Sequence, residues 1–163
     1  MIDQSYQREL LYRKARGKIV FHLYKGKIQF LLDKEVNDSL FLDLFQTDCL
    51  ITKLTEGIKI STEHFEFTTT RKCFEFVSST IIAGNYFLLI DADWRYCGAY
   101  THEVPSILNP TFDFNKFHSD EIRLISADFS TDLPLITVTL TIRNFSNSAS
   151  ANIILLDYQR LSR

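Results

Sequence analysis

Two carboxylates close an oily run in Leu88-Leu89-Ile90-Asp91-Ala92-Asp93. At the mouth of a strand, such a pair could hold a hard divalent cation, because these ions take oxygen ligands. Aspartate also favours turns, through side-chain hydrogen bonds to nearby backbone, so an acidic turn accounts for the same residues. A second group, His102 and Glu103 with His118, Asp120 and Glu121, flanks a loop-like stretch over 101–116. It offers imidazole and carboxylate for zinc binding or general acid–base work. Its spacing matches no compact metal motif such as HExxH. No glycine-rich phosphate loop, GxSxG elbow or Cys-His-Asn order can be read. Cys49, Cys73 and Cys97 are odd in number and spaced by 24 residues, which fits neither a disulfide framework nor a CxxC zinc site. They read as reduced thiols in a cytoplasmic protein. No metal and no cofactor are expected, and no enzymatic activity.

The elements that would position these groups read mainly as strands. Leu135–Ile142 alternates Ile136, Val138, Leu140 and Ile142 with Thr137, Thr139 and Thr141, which puts apolar side chains on one face of an extended strand and hydroxyls on the other. Shorter runs follow the same logic. Ile19–Tyr24 and Lys27–Leu32 read as a hairpin turning at Lys25-Gly26, and Leu40–Phe45 with Cys49–Leu54 as another strand pair. Phe65-Glu66-Phe67 and Phe74-Glu75-Phe76 look like two strands pairing their Phe residues across one face. Tyr86–Ile90, Ile122–Phe129 and Ala151–Tyr158 add further strands, with Trp94–Tyr100 as a partner for the first. His22 reads as a core residue of its strand. Residues 4–16 are the best helix candidate, with Gly17 ending it, and Ser106-Ile107-Leu108 offers one further helical turn. The resulting expectation is an all-β fold, a mostly antiparallel β-sandwich or partly open barrel with a short N-terminal helix. A single domain over 1–163 is expected, with 1–17 as helix or arm and 101–116 as a long loop. Loops of that length in compact domains tend to carry function.

Charge narrows the partners. Residues 1–34 hold eight basic and three acidic residues, while the remainder holds ten and seventeen, for a net charge of −2. An acidic body does not attract phosphate backbones, which disfavours nucleic acid. The cations of Arg13-Lys14-Ala15-Arg16-Gly17-Lys18 suit a helix C-terminus. No apolar run approaches the roughly 20 residues of a membrane span, and no secretory signal is evident, so no membrane association is expected.

One segment points to a partner. Phe117-His118-Ser119-Asp120-Glu121-Ile122 resembles the Phe-His-Asp-Ala-Glu-Ile/Val signature of certain small β-rich bacterial immunity proteins, where it leads into a strand, a short turn and an alternating apolar strand. Phe117, His118, Glu121 and Ile122 match, Ser119 and Asp120 depart, and the segment follows 116 residues where the family has it near the N-terminus. The Leu88–Asp93 run is also similar to the apolar-DxD motif of polymerase-type and primase-type palms and some phosphatases. The first resemblance implies a non-enzymatic module that neutralises a cognate bacterial toxin by covering it. Asp91, Asp93, Glu103, Asp120 and Glu121 would meet a basic toxin, His118 lies beside them in sequence, and Trp94 and Tyr96 would supply aromatic anchors. The alternatives are a small-molecule or glycan-binding barrel or sandwich, a metal-dependent enzyme using Asp91 and Asp93, and a structural subunit of a viral or phage assembly.

Overall fold

The computed structural model describes residues 3–80, 84–104, 108–109, 111–112, 119–126, 135–143 and 148–157. The expected all-β sandwich or barrel is overturned. Helices and one sheet share the chain, with four α-helices and six strands among the described residues. In chain order these are α1 (Gln4–Leu32), α2 (Leu44–Glu56), β1 (Ile58–Phe67), α3 (Thr70–Thr80), β2 (Gly84–Ile90), α4 (Trp94–Cys97), β3 (Tyr100–Val104), β4 (Glu121–Ser126), β5 (Leu135–Arg143) and β6 (Ser148–Asp157). The strands form a single antiparallel sheet in the order β1-β6-β5-β4-β2-β3.

The largest correction is α1. It does not end at Gly17 but runs 29 residues, so the hairpin expected over 19–32 is its second half. The reason lies in its two apolar faces. Tyr24, Ile28 and Leu31 are completely buried, while Leu11, Ile19 and Leu23 stand exposed on the other side. A helix oily on both faces loses the period of 3.6 by which helices are recognised, and short windows of it mimic strands. His22, expected in a core, is exposed on this helix. The last turn of α1 would leave carbonyls without partners. Asn109, in the stretch expected as a loop, supplies them: its N–H donates to the Leu31 carbonyl at 2.7 Å and its side-chain amide to the Phe30 carbonyl at 3.0 Å. The first residues of that stretch, Thr101–Val104, belong to β3, and part of the remainder lies outside the described residues.

Two other expected strand pairs are broken by helices, one by α2 from Leu44 onward and one by α3 over Phe74–Phe76. Asp43 caps α2 with a reciprocal box: its Oδ1 accepts the Gln46 N–H at 2.7 Å, and the Gln46 Oε1 accepts the Asp43 N–H at 3.0 Å. Asp43→Ala should cost about 1 kcal/mol in urea unfolding, with Asp43→Ser close to the parent. Phe74–Phe76 lies on α3, so the twin Phe runs do not pair within the sheet. Phe76 instead packs from the helix onto Phe65 and Phe67 of β1, with ring centroids 4.6 and 5.2 Å apart. Trp94–Cys97 is one turn of helix, and only Tyr100 of that expected strand begins β3.

The strands expected at 65–67, 86–90 and 135–142 are present, as are the described parts of those expected at 122–129 and 151–158. Alternation along them sorts the two faces of the sheet. Leu88, Ile90, Ile122, Leu124, Val138, Leu140, Ala149 and Ala151 pack beneath α1 and α3. Leu89 and Ile125 point the opposite way and meet Leu50 of α2. Further along this second face, Thr139, Thr141 and Asn152 are half-buried and Glu66 is exposed, which is the hydroxylated face expected of β5. β1 and β3 form the edges. The β1–β6 ladder joins Ile58 to Asp157 and shifts register between Lys59 and Ser61.

Candidate functional site

Where β2 leaves the sheet, Asp91 turns the chain with a left-handed φ of 53°, a conformation that aspartate tolerates better than most residues. Its N–H donates to the Glu121 carbonyl at 2.8 Å, tying the turn to the start of β4. Its carboxylate gathers four donors. Oδ2 accepts from Lys27 Nζ and from the Ser119 hydroxyl, both at 2.7 Å, while Oδ1 accepts the Asp120 and Glu121 N–H groups at 2.9 and 3.1 Å. Lys27 rises from the inner face of α1 and also reaches Asp93 Oδ2 at 2.9 Å. Burial pushes the Asp91 carboxyl up, but the Lys27, Asp120, Ser119 and Glu121 bonds outweigh it and hold it below the usual carboxylate range. Burial and the neighbouring Asp91 carboxylate push the exposed Asp120 the other way. The Lys27 ammonium therefore bonds both carboxylates in the way a divalent cation would have to. Among the described residues no group of three or more His, Cys, Asp or Glu is placed to hold a metal.

The chain then rises into α4, and a second ion-pair knot forms beside it. Arg13 forks onto Asp48 of α2, Nη1 to Oδ2 at 2.7 Å and Nη2 to Oδ1 at 2.9 Å, and its Nε donates to the Arg95 carbonyl at 2.6 Å. Arg13 thus fastens α1 to α2 and α4 at once. The Tyr6 hydroxyl also donates to Asp48. Burial and that bond push the Tyr6 phenol up to about 12. Burial opposes ionisation of Asp48, yet Arg13 and Tyr6 hold its carboxyl below the usual range. Gly17 lets α1 reach α4: a Cβ there would lie 2.3 Å from the Tyr96 carbonyl oxygen.

Between these helices lies an open groove of about 400 Å3, lined by Glu9, Tyr12, Arg13, Asp48, Trp94, Arg95 and Tyr96. The Arg95 guanidinium sits over the Trp94 ring, 5.5 Å from its centroid. Arg95 is exposed, and Trp94 and Tyr96 are half-buried. The groove thus presents aromatic faces and guanidinium donors side by side, a combination suited to carboxylate, planar or mixed polar–aromatic surfaces.

Asp91, Asp93, Asp120 and Glu121 come together around the β2–α4 turn, with Trp94 and Tyr96 next along the chain. Within this group Asp91 is committed inward, its side chain only 12% exposed, whereas Asp120 faces solvent. Glu103 is not part of the cluster. Its backbone pairs with Asn85, five residues along β2 from Ile90, or roughly 17 Å away. His118 lies outside the described residues. Sequence reading missed Glu9, Tyr12, Arg13, Asp48 and Arg95. Arg13 was read as part of a helix-end cation run, and no local pattern announces a contact across 82 residues. Of the thiols, burial pushes Cys73 up to about 11, and burial with the Asp93 charge pushes Cys97 up to about 12, so both stay protonated near neutral pH. Cys49 is exposed.

No protein family, no curated protein and no solved structure matches this chain. Among the described residues, no helix is long and apolar enough to cross a membrane.

Proposed function

We propose that the chain is a non-enzymatic protein-binding module whose contact surface is centred on the groove between α1, α2 and α4. One observation carries this reading: Tyr12, Trp94, Arg95 and Tyr96 converge on an open concavity while the ion pairs of Arg13 and Lys27 lock the helices around it. Trp, Tyr and Arg are the residue types enriched at the energetic centres of protein interfaces. Anchors held rigidly before binding lose little entropy on association. The openness of the groove favours a protruding protein side chain over an enclosed small ligand.

The finer reading is an immunity protein, acting in the cytoplasm, that covers a cognate bacterial toxin. It rests on the resemblance of Phe117–Ile122 and on the chain that follows. There β4 and β5 supply the strand and the alternating apolar strand that the resemblance implies. Asp120 and Glu121 flank the groove's turn and would meet basic groups on the toxin.

A growth assay tests both levels. The chain would be co-expressed with any toxin candidate found encoded beside its gene, and binding measured by titration calorimetry. Growth should be restored, and Trp94→Ala with Arg95→Ala should weaken binding by about 2–4 kcal/mol. Tight binding that ignores both substitutions would move the contact surface elsewhere. Absence of rescue with intact binding would retain the module and remove the toxin.

A further inference from the structure

The face of α1 turned away from the sheet holds four large apolar side chains in solvent, with the exposed His22 among them. Leu11, Tyr12, Ile19 and Leu23 are 67%, 64%, 74% and 67% exposed. At about 100° per residue these four side chains fall within one third of the helix circumference. From Leu11 to Leu23 they make a stripe of about 18 Å. Monomeric proteins seldom leave such a stripe uncovered.

The cations beside it identify what covers it. On the inner face of α1, Arg13 and Lys27 are spent on Asp48, Asp91 and Asp93, and Lys25 is paired with Asp38. Arg8, Lys14, Arg16 and Lys18 carry no ion pair among the described residues and are all exposed. On the helical wheel Arg16 borders one side of the stripe, Lys14 and Lys18 border the other, and Arg8 stands at its N-terminal end. Apolar side chains framed by cations are the pattern of a helix lying in the interface of an anionic bilayer.

We propose that α1 docks this outer face onto an anionic lipid surface, Leu11, Tyr12, Ile19 and Leu23 entering the headgroup–acyl boundary while the four cations meet lipid phosphates. Tyr12 also lines the groove, whereas Leu11, Ile19, Leu23 and the four cations do not, so the proposal stands on residues outside that reading. Three observations favour a bilayer over other occupants. A second copy laid on the stripe would set Arg16 and Lys18 against their own like charges. From Leu11 to Leu23 the stripe follows the outer, convex side of a helix, to which a fluid bilayer conforms. Charge is also divided along the chain: residues 35–163 hold seventeen acidic against ten basic residues, so an anionic membrane would repel the body while attracting α1. The helix would lie on the membrane and not span it, consistent with its charge content.

Vesicle flotation of the full chain tests the proposal. The probes are vesicles of pure phosphatidylcholine and of an equimolar mixture with phosphatidylglycerol. The chain should float with the mixed vesicles, weakly or not at all with the neutral ones, and less as salt rises. Each cation near an anionic surface is worth about fivefold in partition, so Lys14→Gln with Lys18→Gln should lower it on the order of 25-fold. Ile19→Glu with Leu23→Glu should lower it by more than about tenfold. Since all four residues face solvent, circular dichroism and the thermal midpoint should stay near the parent, separating lost docking from lost folding. Equal flotation with both vesicle types, or none with either, overturns the proposal. So does a dimer in sedimentation that Ile19→Glu dissolves while lipid binding is absent, or saturable binding to an acidic helical peptide in place of vesicles.

Discussion

Lys27→Met should remove about 3–5 kcal/mol of folding stability at neutral pH, a large share of what a domain this size possesses. The side chains of Lys27 and Asp91 are 10% and 12% exposed, and the ammonium bonds both Asp91 and Asp93. Methionine fills a similar volume, so packing survives, but two carboxylates are left facing each other with no cation between them. Urea unfolding measures the loss. Adding Asp91→Asn and Asp93→Asn to Lys27→Met should recover part of it, since the repulsion disappears while shape is kept. A triple variant no more stable than Lys27→Met would locate the cost in packing and not in charge. Acid provides a second reading of the same contact. The Asp91 carboxyl is held below its usual range in the folded state, so its stabilisation is complete above about pH 4 and lost as pH falls through the depressed value. Lys27 is shifted upward despite burial, because its bonds to Asp91 and Asp93 outweigh the desolvation. Its contribution is therefore present below about pH 10 and lost only as pH rises through the raised value. The parent should weaken on acidification, and the deficit of Lys27→Met relative to the parent should shrink at pH 3.

Gly17→Ala should destabilise by about 2–3 kcal/mol, opposite in sign to the same exchange nine residues later in the same helix. Glycine inside a helix normally costs about 0.5–1 kcal/mol relative to alanine, so replacing it should help. At Gly26 a Cβ would meet nothing within 4 Å, and Gly26→Ala should give that gain. At Gly17 it would lie 2.3 Å from the Tyr96 carbonyl oxygen, which is backbone and cannot swing aside. α1 and α4 would have to part, at the cost of overpacking and of the Arg13 Nε bond to the Arg95 carbonyl. The groove would widen with them, so partner binding should fall together with stability. Thermal unfolding of the two variants side by side decides it. Stabilisation by both would show that α1 and α4 leave room for a methyl group at Gly17.

The strands were legible wherever one face is buried and the other wet, as at Val138 and Leu140 against Thr139 and Thr141. The helices were not, and each for its own reason. In α1 the exposed Ile19 and Leu23 fill the positions a sequence reader expects to be polar, which blurs the period. Phe74 and Phe76 imitate a strand because aromatic residues are common there, yet Phe74 is buried on α3 beside Cys73 and Val77. The box of Asp43 and Gln46 was a readable helix start that the surrounding Leu and Phe residues masked. For the site, an acidic turn at Asp91-Ala92-Asp93 could be read locally, since aspartate tolerates that backbone. The identity of its counter-ion could not. Lys27 lies 64 residues away, and nothing near Lys27 in sequence sets it apart from the seven other cations of residues 1–34.

The ladder between β1 and β6 has a consequence for how the chain is made. Ile58 waits for Asp157, and almost a hundred residues must be synthesised between them. At bacterial or eukaryotic elongation rates of roughly 5–20 residues per second, β1 leaves the ribosome about 5–20 s before its partner exists. During that interval the nascent chain carries a strand with an open rim and helices whose sheet has not been completed. Polar and charged residues along β1, from Lys59 through Ser61, Thr62, Glu63 and His64, keep that early strand wettable until β6 closes over it.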